Sequence, residues 1–381
     1  MRRLVSVTLA VVAVLLATSV TVAVAQPLDA WLQDAQLGPY APAEEDWDAV
    51  YAAALEEPPL RVYTSTSRVH AFIAAYEAQW PGLTAEAVET GSGSDAIERL
   101  TREWQAGLRN AGVIDLAGPE SHAVLPEGSI VAYVPPEMRA VYPDRYLEPV
   151  LTVAVSLSGW AYNPDVVSDG PPFRSVWDLT TDDFRGLIVL TDPTISSSAG
   201  EQLVGTIARA DELEADYVAR FGEPLELRER DAGFEWFRRL LENDPIIVDG
   251  WRPAAEILTN RTEPIVAAMN FIRMVHVERG VYRMEFATGI TPIDAISAPR
   301  WQAVGAFTPS PNAAKLFLRT MMTEEGGRPY FGEGFLSPRT DWAPTESWMA
   351  QITEINYWDP DPEFTQQHGF EVIDFWLLRA R

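Results

Sequence analysis

Along the first third of the chain, apolar positions switch between the spacing of strands and that of helices. Leu60-Arg-Val-Tyr63 reads as a short strand and runs into Thr64-Ser-Thr-Ser67. Val69, Phe72, Ile73, Tyr76 and Trp80 then recur at three- and four-residue intervals, the buried face of a helix. Pro81-Gly82 ends that helix. Leu83 to Val88 repeats the strand and Gly91-Ser-Gly-Ser94 the hydroxyl-rich loop, and Ile97, Leu100, Trp104 and Leu108 repeat the helix face. Two consecutive strand–loop–helix units imply parallel strands with both loops at one edge of a sheet. Backbone N–H groups, helix dipoles and hydroxyls converge there, which suits a small polar or anionic ligand. The candidate ligand-binding residues from these loops are Thr64, Ser65, Thr66, Ser67, Ser92, Gly93 and Ser94.

Further along, Val113 to Leu116 is a third strand, and Pro126 to Pro149 is irregular. The β-branched run Leu151 to Leu157 leads into Gly159-Trp160-Ala161-Tyr162-Asn163, where the chain is expected to cross into a second lobe. That lobe holds strands at Gly186 to Thr191, Ile246 to Val248 and Ile265 to Met269. Its helices fit Leu203 to Ile207, Leu213 to Phe221 and Phe234 to Leu241. The chain is expected to return to the first lobe near Ile265 to Met269. Asn312 is a candidate N-cap for a helix burying Ala314, Phe317, Leu318 and Met321. In the tail, Phe364, Phe370 and Phe375-Trp376-Leu377 are expected to pack on the body. This alternation gives an α/β fold class. The expected organisation is a leader at 1–25, a lead-in at 26–58 with a helix near Trp47 to Leu55, and lobe 1 at 59–155. Lobe 2 follows at 156–268, a return to lobe 1 at 269–342, and a C-terminal extension at 343–381.

Composition narrows the function. Met1-Arg-Arg3, the apolar run Leu4 to Ala17 and Ala23-Val-Ala25 have the three parts of a secretory signal peptide. A membrane anchor is the alternative, since Leu4 to Ala25 is long enough to span a bilayer. Thr18, Ser19 and Thr21 dilute the run and favour cleavage, hence a periplasmic location. The absence of cysteine excludes disulfides, thiolate metal sites and a lipid-modified N-terminal cysteine. A net charge of −26 argues against nucleic acid.

Catalytic signatures are missing. Gly-x-Ser-x-Gly, His-Glu-x-x-His and the P-loop pattern do not occur, and Lys315 is the single lysine. Gly91-Ser-Gly-Ser-Asp-Ala96 does fit a dinucleotide fingerprint, with Asp115 about 20 residues on. In that fold the loop would be the first βα turn, whereas here another unit precedes it, so an exported cofactor enzyme is a minor alternative. Ser198 with Glu201 reads as a capping box, which explains one serine of Ser196-Ser-Ser198.

These residues resemble a family. Val62-Tyr63-Thr-Ser, Trp80-Pro81-Gly82, Thr90-Gly-Ser-Gly-Ser94 and Arg99-Leu100 are similar to the extracellular solute-binding proteins of ABC importers. The branch is the one that includes ferric-ion, thiamine and phosphonate binders. Tyr162-Asn163, Trp177-Asp-Leu179, Phe184-Arg-Gly186, Asp192-Pro-Thr194 with Gly200, Pro309 to Met322 and Leu336-Ser-Pro-Arg339 continue the likeness. The resemblance implies a periplasmic-binding-protein type II fold, two α/β lobes joined by crossing hinge strands around a ligand cleft. It implies a monomer with no cofactor and no enzymatic activity, whose partners are a small solute and the importer's permease subunits.

Ferric binders of that branch carry adjacent tyrosines near the second crossing. Here the segment is Ala268-Met-Asn-Phe-Ile-Arg273, so the expected ligand is an organic anion. Iron, held by Tyr162 and Tyr282, is the alternative. The family's anion-holding loop persists as Ser197, Ser198 and Ala199, with Asn270, Arg273 or Arg252, and a stacking Trp251 or Trp160 as further candidates.

Overall fold

A computed structural model describes residues 27–118, 125–331, 334–342 and 355–380. The leader at 1–25 lies outside the described residues, as do 343–354 of the extension. Among the described residues, no helix is long and apolar enough to cross a membrane.

The chain enters through helices α1 (Leu28–Ala35) and α2 (Trp47–Ala54), the second capped by Asp46. The anticipated repeat follows as β1 (Leu60–Thr64), α3 (Val69–Gln79), β2 (Ala85–Glu89) and α4 (Gly93–Gln105). β1 lies between β2 and β3 (Val113–Ala117), all three parallel. The short β4 (Ile130–Val131) precedes β5 (Leu151–Tyr162), twelve residues long and buried throughout.

Lobe 2 contains β6 (Ile188–Thr191), α5 (Ser197–Ile207), α6 (Ala210–Phe221), α7 (Ala232–Glu242) and β7 (Ile246–Val248). Then come α8 (Trp251–Asn260), β8 (Val266–Asn270), α9 (Met274–Glu278) and β9 (Glu285–Phe286). β8 pairs with the crossing strand β5, Phe271 and Ile272 just after it pack in the lobe 1 core, and β10 (Ala295–Gly305) is the second strand of the crossing. After it come α10 (Pro311–Met321), α11 (Glu324–Phe331), β11 (Tyr357–Trp358) and α12 (Pro362–Arg379).

The strands form one sheet in the order β2-β1-β3-β10-β5-β8-β6-β7. Its centre is the antiparallel pair β5–β10, which runs through both lobes. At one end β10 pairs with β3, Val304 opposite Val113; at the other, Ala295 lies opposite Gly159. Each lobe packs its own core: Phe72, Tyr76, Phe317 and Tyr330 in the first, and Trp160, Trp177, Trp236 and Phe237 in the second.

Several local expectations change. α10 is entered at Ser310-Pro311, and Glu57 accepts from the Asn312 and Ala313 amides at 3.0 and 2.8 Å, so a remote carboxylate caps it. In α12, Phe375 and Trp376 are buried, whereas Phe370 is 79% exposed and Leu377 points outward.

Lobe 2 also buries a charge. The Glu235 carboxylate on α7 accepts from Arg238 at 2.5 Å, Arg239 at 2.6 Å and the Arg228 amide at 2.9 Å. Burial opposes its ionisation, but these donors outweigh burial and hold its pKa at about 2. Its contribution to stability is therefore complete above the ordinary glutamate range, about 4.3, and is lost as pH falls towards 2. Glu235→Gln should cost about 3 kcal/mol at neutral pH by leaving Arg239 uncompensated and Arg238 with Glu242 alone, and should flatten that acid limb. Urea denaturation at stepped pH checks both.

Candidate ligand-binding cleft

Strand direction fixes where the cleft lies. β3 ends at Ala117, opposite Arg300 of β10, while β8 ends at Asn270, opposite Ser158 of β5. The C-terminal edges of both lobes' parallel strands therefore converge on one short stretch of the crossing pair, near Ser156 to Ser158 and Ile296 to Arg300. Ligands in open α/β sheets bind at such edges.

On the lobe 1 side the hydroxyls divide into two groups. Thr64 is buried; its Oγ1 accepts from the Thr66 amide at 3.1 Å and donates to Asp115 Oδ2 at 3.4 Å. Thr66 Oγ1 accepts from the Arg68 amide and from Arg68 Nη1, each at 3.4 Å. Thr90 joins the two loops by donating to the Thr64 carbonyl through both its amide and its hydroxyl. Ser92 caps α4, accepting from the Asp95 amide at 3.1 Å. Ser65 is half-buried, and Ser67 and Ser94 are exposed. What Gly93 and Ser94 offer is the open pair of amides at the start of α4.

Lobe 2 repeats this arrangement. The Asp192 carboxylate accepts from the Thr194 amide and hydroxyl at 2.8 and 2.7 Å, turning the chain into α5. Ser196, rather than Ser198, is the N-cap, accepting from the Ala199 amide at 3.4 Å, with Ser198 Oγ 3.3 Å from its hydroxyl. The Ser197 side chain lies outside the described set. α5 packs tightly on the crossing, since a Cβ at Gly205 would lie 2.5 Å from Ile296 Cγ2.

The other candidates separate. Asn270 donates to Ser156 and Ser158 at 3.0 and 3.1 Å and accepts from the Ile272 amide, so its amide braces β8 against β5. Trp251 and Arg273 come together: the guanidinium lies 4.1 Å from the ring, and His276 stacks on the indole at 4.9 Å. Arg252 is exposed, 5.4 Å from the same ring, and Trp160 is buried in the lobe 2 core.

Two features escaped sequence reasoning. Arg68 directly follows Ser67 and places a cation on the lobe 1 loop, a signal that was legible. The second feature is a buried cluster under that loop. Asp115 accepts from Tyr330 at 2.9 and 3.1 Å, from Thr64, and from Arg300 Nη2 at 3.3 Å. No local pattern links positions 115, 300 and 330.

Comparisons with known proteins bear on this geometry. No protein-family model and no curated protein matches the sequence. Solved structures do match. Iron-bound HitA from Pseudomonas aeruginosa superposes with a TM-score of 0.64 at 16% identity, over 83% of this chain and 99% of HitA. AfuA from Actinobacillus pleuropneumoniae, with fructose-6-phosphate bound, gives 0.62 at 17% identity over 84% and 98%. A periplasmic thiamin binding protein gives 0.60 at 14% identity over 85% and 97%. The chain has the type II periplasmic-binding-protein fold. At these identities the likeness establishes architecture alone.

Within that binding-protein fold, the two tyrosines considered for iron are committed elsewhere. Tyr162 donates to Glu285 Oε2 at 2.8 Å, and burial together with that carboxylate pushes its pKa up to about 12. A phenolate ligand needs the opposite shift. Tyr282 is buried edge-on against Trp251. Among the described residues, no group of three or more His, Asp or Glu is placed to hold a metal ion.

The division between capping and open hydroxyls is testable. Ser92→Ala should cost about 1 kcal/mol, as the loss of an N-cap does. Ser65→Ala and Ser67→Ala should stay within about 0.5 kcal/mol of the parent. Equilibrium urea denaturation of the three variants decides it.

Proposed function

We propose that this chain is the periplasmic solute-binding component of an ABC importer. It captures a small organic anion between its lobes, hands it to the membrane permease and performs no chemistry itself. The observation that carries the reading is the convergence of both lobes' C-terminal strand edges on the β5–β10 crossing, with a helix start on each side. The neighbours in fold include iron-bound HitA, a thiamin binding protein and AfuA with fructose-6-phosphate bound.

The ligand class follows from what lines the edges. Open helix-start amides of Gly93, Ser94, Ser197 and Ser198 favour negative charge. Arg68 on the lobe 1 loop and Arg273 beside Trp251 in lobe 2 supply one guanidinium from each lobe, able to grip a carboxylate or phosphate through paired N–H groups. Ser65, Ser67 and Ser94 contribute hydroxyls. A ferric cargo is the second reading, favoured by the iron-bound neighbour and opposed by the raised pKa of Tyr162.

A panel of phosphate esters, phosphonates and dicarboxylates tests this by thermal shift, with native mass spectrometry of the freshly purified protein. At least one anion should raise Tm, and Arg68→Gln should weaken it about tenfold or more while leaving the unliganded Tm in place. Stabilisation by ferric ion or thiamine, with no response to any anion, would sink the reading.

A further inference from the structure

The C-terminal extension crosses the hinge. β11 adds to the edge of β10 in parallel, Tyr357 opposite Ala295 and Trp358 opposite Ile296. Asp294 and Asn356 reinforce the join: the Asp294 amide donates to the Asn356 carbonyl at 3.1 Å, and the Asn356 amide to Asp294 Oδ2 at 3.2 Å. On β10 this position lies where the strand leaves lobe 2, just short of the stretch that pairs with β3.

One residue of the segment touches three bodies. Asp359 Oδ1 accepts from Ser297 on the crossing strand at 2.7 Å. Its Oδ2 lies 3.2 Å from Arg145 Nε, in the turn before β5 whose neighbour Tyr146 is buried in the lobe 1 core. Its carbonyl accepts from Arg209 Nη2 of lobe 2 at 3.1 Å. The Tyr357 and Tyr146 hydroxyls lie 3.4 Å apart, a second bridge to lobe 1.

Beyond Asp359 the chain is anchored to lobe 2 alone. α12 buries Val372, Phe375 and Trp376 against Phe234 and Phe237, and Arg230–Glu371 and Arg379–Glu229 pin its flank. The segment from Asn356 to Asp359 thus bridges the lobes: Ile355 beside it and Tyr357 within it pack on the lobe 1 core, while α12 after it is held to lobe 2.

We propose that this segment is an interlobe latch, with Asp359 as its pin, that biases the lobes toward the arrangement seen here. The proposal rests on the binding-protein reading only in that the lobes must move about the crossing. Any rotation there changes the separation of Arg145 in lobe 1 from Arg209 in lobe 2, the two residues that Asp359 holds together. The Arg145–Asp359 pair is half-exposed, 57% for the Arg145 side chain and 37% for Asp359. An ion pair so exposed shifts a two-state ratio by no more than about fivefold. That is enough to tune opening without blocking it, and it makes the latch sensitive to salt.

Because the chain has no cysteine, Ala71→Cys on α3 and Ile195→Cys before α5 give a unique dye pair, one in each lobe. Single-molecule energy transfer is read in this background, then with Asp359→Asn, with Arg145→Ala, and with Arg379→Ala as a tether confined to lobe 2. Asp359→Asn and Arg145→Ala should each move the ratio of separations about two- to fivefold away from the parent's major state. Raising salt to about 0.5 M should move the parent the same way and leave Asp359→Asn where it is. Arg379→Ala should do nothing. Distributions of Asp359→Asn and Arg145→Ala that coincide with the parent's overturn the latch, as does an equal shift in Arg379→Ala. Failure of the transport reading has a separate signature, the lack of any response of this distance to the anion panel.

Discussion

Everything in this molecule is hung on one antiparallel pair. β5 and β10 carry twelve and eleven consecutive buried residues through both lobes, so their ladder is also the hinge. A buried strand pair must satisfy its polar groups internally, and at the crossing side chains supply part of that pairing. Asn270 occupies the hydroxyls of Ser156 and Ser158, and Arg300 meets Asp115 with Tyr330 and Thr64 completing the carboxylate's shell. Both clusters lie where a lobe's strand edge meets the crossing. They hold the floor of the cleft in register while the loops above it carry the open donors.

The first lobe was legible because its local signals agree. Strand composition, helix spacing and Pro81-Gly82 all place β1, α3 and β2, and parallel pairing follows from connectivity alone. β10 was not legible, and the reasons are in its residues. Pro299 argues against a central strand, and Arg300 and Gln302 against a buried one. The strand tolerates Pro299 next to a register shift between Arg300 and Trp301, and the charge is matched by a residue far away in sequence.

Several of the candidate positions read from the sequence have structural roles. Ser92 and Ser196 are spent as caps, Thr64 and Thr66 as internal acceptors, and Asn270 as a brace. Capping and ligand binding call for the same residues at the same place, since both answer the open amides of a helix start. Only hydrogen-bond partners distinguish them. Phe370 shows the same limit for packing: it shares α12 with buried Phe375, but five positions apart the two fall on different faces.

The proposed capture of an anion by so acidic a protein is not a contradiction. The single lysine is no help, since Lys315 is buried against Glu45 at 2.9 Å in lobe 1. On the proposed reading, attraction inside the cleft comes from short-range donors: helix-start amides and the guanidinium groups of Arg68 and Arg273. Surface carboxylates farther away than about 8 Å are screened at physiological salt, whereas a ligand held at hydrogen-bond distance feels its donors in full. The net charge of −26 therefore acts mainly on what approaches from a distance. It slows the arrival of anions in general and, on the proposed reading, leaves selection to the few whose shape reaches both lobes at once.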